Sequence, residues 1–130
     1  MTRVVLWRSE ADGQGRRHVE GFAAQGHTGY AKAGKDIVCS AVSALTQGTL
    51  LGVLQVVGAK ALYGTDERAG ELYCLLAPEA SRTDREKAWI LLDTLALALR
   101  EIERQYPRHL RVEERNWDES VYTSWTAWKG

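Results

Sequence analysis

Gly26-His27-Thr28-Gly29-Tyr30-Ala31-Lys32-Ala33-Gly34-Lys35-Asp36-Ile37-Val38-Cys39-Ser40-Ala41-Val42-Ser43-Ala44-Leu45 opens as a glycine-punctuated loop and closes as an apolar helix. Glycines at 26, 29 and 34 let the loop take backbone angles that other residues avoid. Asp36 stands where a helix N-cap belongs, because its carboxylate can accept from orphan N–H groups two or three residues on. Cys39 then falls inside the first helical turn, where the positive helix end favours thiolate over thiol. From there to Val57 the residues are small or apolar nearly all round: Ala41, Val42, Ala44, Leu45, Leu50, Leu51, Val53 and Leu54. A helix apolar on every side is a buried one, so a central helix over 37–57 is expected, lying against a sheet. Its polar residues, Asp36, Ser40, Ser43 and Gln47, keep helical spacing, and Cys39 and Ser43 form an i, i+4 pair on one face. Gly48 and Gly52, four apart, allow the close approach of another backbone.

The sequence on either side supplies the sheet. Residues 3–8 are β-branched and aromatic and read as a strand. Asp12-Gly13 marks a hairpin turn, and His18 to Ala24 forms the returning strand, with His18 facing water. Residues 59–63 and 71–76 read as a second hairpin ended by Pro78, with Cys74 as inert packing. Thr83-Asp84-Arg85-Glu86 is a capping box with Thr83 as N-cap. The helix it opens carries Ala88, Leu91, Leu92, Leu95, Ala98, Leu99 and Ile102 in one stripe and stops at Pro107. Leu110 to Glu114 alternates as a last short strand. The order β-β-α-β-β-α-β predicts an α/β (α+β) sandwich with a largely antiparallel sheet and a central buried helix. Residues 1–115 form the expected domain. Residues 116–130 are a tail that holds three of the five tryptophans and is expected to dock, since disordered tails are poor in aromatics.

Bulk properties narrow the function. A chain of 130 residues suggests one domain, which at this size needs no disulfide staple. Lys plus Arg and Asp plus Glu are 17 each, which argues against a general nucleic-acid binder. The two cysteines, without a signal segment or a spaced framework, are expected as free thiols in a reducing compartment. No uninterrupted apolar run of about 18 residues is present, so no membrane span is expected. Histidines 18, 27 and 109 and the cysteines lack metal-ligand spacing. Cys39 with His27 just upstream is the minimum set for nucleophilic catalysis by a thiol. On spacing alone Cys39 reads first as a small buried hydrophobe.

The residues Gly26-His27, then Gly34 to Leu45, resemble the signature of the ribosomal-processing cysteine proteases, the Prp or YsxB-like proteins of bacteria. That pattern is a Gly-His pair, a short glycine-containing loop, then Asp-Ile-Val-Cys and a small-residue helix carrying a Ser. The resemblance implies a small α/β homodimer with Cys39 and His27 as the catalytic pair, while the free thiols and the absent signal segment place it in the cytoplasm and no cofactor is expected. Gly26, Gly29, Tyr30, Gly34, Asp36, Ser40 and Ser43 fall at supporting or substrate-binding positions. Asp36 caps the helix and is a candidate to orient His27. Ser43 either bonds back to a carbonyl one turn earlier or serves the sulfur or substrate. The implied partner is the N-terminal extension of a large-subunit ribosomal protein, cleaved beside bulky aromatic residues during ribosome maturation. A non-enzymatic ribosome-associated interaction protein and a thiol redox sensor are the rival readings.

Overall fold

The computed structural model describes residues 1–26, 37–66 and 70–129. β1 (Thr2–Arg8) and β2 (Val19–Gln25) form the first hairpin, and β3 (Ala61–Asp66) and β4 (Glu71–Leu76) the second. α1 (Ile37–Leu51) runs on as a π-helical segment (Gly52–Val57), and Gly58, at φ 76°, ends it in the left-handed region. α2 spans Arg82–Gln105, β5 Leu110–Asn116 and α3 Glu119–Lys129. The sheet order is β3-β4-β2-β1-β5. Three of its pairings are antiparallel, and β5 lies parallel to β1, with Val4 opposite Val112. The expected α+β class is what the chain adopts. The parallel pair arises because α2 carries the chain back across the sheet before β5 begins.

Strand alternation sorts the side chains into two cores. Val4, Leu6, Phe22, Ala24, Leu72, Cys74, Leu76 and Val112 face α1 and α2. Trp7, Ala23, Tyr73 and Leu75 face the other way, against Trp117, Val121, Tyr122 and Trp125. Trp125 meets Trp7 edge-on at 5.8 Å and Tyr73 at 5.1 Å. With both faces covered, all six residues of β4 are buried. Glu20 on β2 is buried too, paired with Arg85 of α2, whose guanidinium also donates to the Ala77 carbonyl.

Three expectations need correction. α1 is not buried all round. Val38, Cys39, Val42, Thr46 and Val53 face inward, while Ile37, Leu51 and Val56 are 78%, 54% and 83% exposed, because α1 and α2 form the outermost layer on that side. By length and composition alone, Ile37–Val57 is apolar enough to cross a membrane. α2 starts earlier than the capping box implies: Ser81 is the N-cap and accepts from the Asp84 N–H at 3.1 Å. Gly52 makes room for the Leu91 side chain rather than for a backbone, and a Cβ at Gly48 would meet nothing within 4 Å.

Candidate active site

Cys39 lies in the first turn of α1, only 4% exposed, and its thiol donates to the Gly26 carbonyl at 3.7 Å. Gly26 closes β2 at φ +100°, where L side chains are strained. A Cβ there would also sit 2.9 Å from the Met1 carbonyl oxygen and 3.1 Å from the Thr2 Cα. Two constraints, backbone angle and space, therefore demand glycine at 26. Once the chain makes this turn, the carbonyl faces the sulfur. The contact joins the end of a central strand to the positive end of a helix. His27, Gly29, Tyr30, Gly34 and Asp36 lie outside the described residues.

Ser40 follows the thiol on the exposed side of α1. Ser43 is half-buried one turn on, and its hydroxyl accepts from the Gln47 side-chain amide at 2.7 Å. Bonding back to the preceding turn is done by buried Thr46, whose hydroxyl donates to the Val42 carbonyl at 2.8 Å. Cys74 differs from Cys39 in kind. It is fully enclosed in the core, and burial pushes its thiol up to about 12, so it stays protonated and inert. Neither cysteine forms a disulfide. Among the described residues, no group of three or more His, Cys, Asp or Glu side chains could hold a metal ion.

His18 corrects a further expectation. It does not face water: its ring stacks on Trp89 at 4.1 Å and 5°. Nδ1 lies 2.8 Å from Asp93 Oδ2, and Nε2 lies 2.9 Å from Asp12 Oδ2. The other Asp93 oxygen accepts from the Val19 N–H. His18 thus pins the first hairpin to α2. Neither this clamp nor the Gly26 carbonyl was visible as a site feature in the sequence. The usable signal was the Asp-Gly turn beside His18, but its second carboxylate comes from 75 residues away.

The sequence model of the family described as Cysteine protease Prp matches residues 1–111. The chain belongs to that family. The Bacillus subtilis ribosomal processing cysteine protease Prp is 32% identical over 100 residues, covering 75% of this chain and 89% of that protein. The Staphylococcus aureus Prp is 24% identical over 87 residues, covering 67% and 78%. The crystal structure of S. aureus Prp with a substrate peptide has a TM-score of 0.68 at 21% identity, covering 88% of this chain and all of that one. A Streptococcus mutans structure gives 0.73 at 20% identity, covering 90% and 96%. These structures share the fold. The Prp match ends at residue 111, just inside β5, so α3 lies beyond it.

Proposed function

We propose that this chain is a cysteine endopeptidase that removes the short N-terminal extension of a large-subunit bacterial ribosomal protein during ribosome maturation. The observation that carries the reading is the Cys39 thiol on the Gly26 carbonyl, because Gly26 is the direct chain neighbour of His27. In this mechanism the Cys39 thiolate attacks the scissile carbonyl, and His27 as imidazolium protonates the leaving amine. Water, deprotonated by His27, then hydrolyses the acyl-enzyme and restores the thiol. The positive end of α1 lies where the oxyanion develops. Gly26, Gly29, Tyr30 and Gly34 border the peptide groove, Asp36 holds the helix start, and Ser40 and Ser43 flank the sulfur. Curated relatives bear the name ribosomal processing cysteine protease, and a solved S. aureus structure carries a covalently linked product peptide.

The assignment extends to organisation. Residues 1–115 are the protease domain, 116–130 a docked tail, and the protein works in the cytoplasm as a homodimer. Support for the dimer comes from α1 and α2, where Ile90 and Leu97 are 68% and 73% exposed beside an apolar groove between Leu45 and Leu91. The aromatic side chains of 117–125 pack on their own sheet, so the tail is not needed for that contact.

The test is cleavage of the intact ribosomal-protein precursor, followed by mass spectrometry. Cys39→Ala and Cys39→Ser are expected to lose more than about a hundredfold in rate, and Cys74→Ala to cleave normally. An active Cys39→Ala protein overturns the mechanism.

A further inference from the structure

The outer face of the sheet holds a cavity of about 250 Å³ that the peptidase chemistry does not use. Val5 and Ala23 line its floor, and Trp7 of β1 and Trp125 of α3 line its walls. Arg3 and Gln25 lie at the end of β1 and β2 that leads to Gly26. The alternation that sends Val4 and Leu6 to the core brings Arg3, Val5 and Trp7 to this face. The parallel register of β5 then sets Arg111 beside Arg3, Glu113 beside Val5 and Arg115 beside Trp7.

The charges around the cavity are unbalanced. Glu113 is shared between Arg115 at 3.1 Å and Arg111 at 3.8 Å. Glu71, on the far side of β2, accepts from the Gln25 amide at 3.0 Å. Arg3 is exposed and, among the described residues, makes no hydrogen bond or ion pair. One cation is left over beside an apolar, indole-walled hollow. Small-molecule pockets run from about 300 to 1,000 Å³, so this hollow suits one large side chain rather than a whole ligand. Indole walls favour an aromatic ring, through edge and offset contacts.

We propose that this cavity is a peptide-binding site separate from the thiol, taking one aromatic side chain against the Trp7–Trp125 pair while an acidic side chain two residues away pairs with Arg3. Side chains two apart on an extended peptide point the same way and stand about 7 Å apart, the same spacing that separates Arg3 from Val5 along β1. The partner is an acidic, aromatic peptide segment. Because Trp125 belongs to α3, beyond the family match, the site is a property of this chain's own extension.

The experiment is an NMR titration of the full-length, isotope-labelled protein with Ac-Glu-Ala-Phe-NH2 and Ac-Phe-Ala-Glu-NH2. Ac-Lys-Ala-Phe-NH2 and Ac-Glu-Ala-Ala-NH2 serve as controls. At least one acidic-aromatic peptide is expected to give saturable shifts at the Trp7 and Trp125 indole N–H and the Val5 and Ala23 amides, weakened by salt. Both controls are expected to bind more weakly. Arg3→Gln, a change at an exposed side chain, is expected to raise Kd about threefold to fivefold. Cys39→Ala is expected to leave Kd unchanged, which separates this site from the peptidase reading. Absence of saturable shifts at millimolar peptide, equal binding of the lysine peptide, or an unchanged Kd in Arg3→Gln overturns the proposal.

Discussion

Replacing His18 with phenylalanine is expected to destabilise the protein at pH 5 and to matter little at pH 9. Both ring nitrogens of His18 lie within 2.9 Å of a carboxylate oxygen. Neutral imidazole has one N–H, so only the imidazolium satisfies both partners. Burial on its own pulls the His18 pKa down, but the hydrogen bonds and charges of Asp93 and Asp12 outweigh it and raise it above 6.5. Other groups fit around this arrangement. Arg8 approaches Asp93 at 3.9 Å, the Arg82 guanidinium stands 5.1 Å from the Trp89 ring, and the Ser9 hydroxyl accepts from the His18 N–H. A folded-state pKa above the unfolded one gives stability that is complete below the unfolded value, about 6.5. That stability is lost as pH rises through the folded value. Asp12 works in the opposite sense. Its carboxyl is held down to about 2 by the Arg16 N–H, His18 and the Gln14 N–H, so its contribution fades as pH falls below the usual carboxylate range. The clamp is therefore strongest between about pH 4 and 6.5.

The magnitude rests mostly on the Asp93 side, where the two side chains are 15% and 32% exposed. A charge-assisted hydrogen bond contributes about 1.5–3 kcal/mol, and partial exposure places this one near 1.5–2. Phenylalanine keeps the stacking area on Trp89, so the loss isolates the hydrogen bonds. For a domain of this size the corresponding change is about 5–8 °C in Tm. Urea unfolding followed by circular dichroism, at steps from pH 5 to 9, gives the stability gap between wild type and His18→Phe. The gap is expected to close as pH rises. A gap that stays level or widens would refute the imidazolium clamp.

Three further outcomes follow from the site and the tail. Gly26→Ala, with a Cβ 2.9 Å from the Met1 oxygen at φ +100°, is expected to cost about 1–3 kcal/mol and to lower cleavage by turning the carbonyl away from Cys39. Normal urea midpoint and activity would remove Gly26 from the site. His27→Ala is expected to abolish cleavage and to slow iodoacetamide alkylation of Cys39 at neutral pH; an unchanged alkylation rate would mean that the two side chains are uncoupled in the free protein. A chain ending at Arg115 is expected to remain dimeric by light scattering while losing about 3–5 kcal/mol, the scale of deleting a buried tryptophan. A monomeric full-length chain would dispose of the dimer, and a truncated monomer would return α3 to the interface.

β1 was legible because a strand covered on both faces reads as a short run of β-branched, aromatic and aliphatic residues, as in Val4-Val5-Leu6-Trp7. Strand partners were harder to read. Nothing in Leu110 to Glu114 says that its neighbour is β1 or that the pair is parallel, since alternation fixes a face and not a direction. The N-cap of α2 was ambiguous for a related reason. Ser81 and Thr83 are both capping residues followed three positions later by an acidic one, Asp84 or Glu86. Tertiary contacts accompany the earlier start, with Arg85 in the first turn bonded to Glu20 and the Ala77 carbonyl. The uniform apolarity of α1 overstated its burial, because exposed Ile37, Leu51 and Val56 look the same in sequence as core residues.

The thiol was legible for a simpler reason: its partners are local. Gly26, His27 and Cys39 fall within fourteen residues, so the motif carries the chemistry without knowledge of the fold. Assigning His27 as the base is supported by what the other two histidines do. His18 has both nitrogens committed to carboxylates, so neither is available to take a proton from a thiol. His109 sits in the turn before β5, two strands away from β2 in the sheet order. The Gly26 turn, fixed by Met1 and Thr2, lies at the strand end that faces Cys39, and His27 is the next residue in the sequence. Among the three histidines, position along the chain favours His27 for the proton transfers of the proposed mechanism.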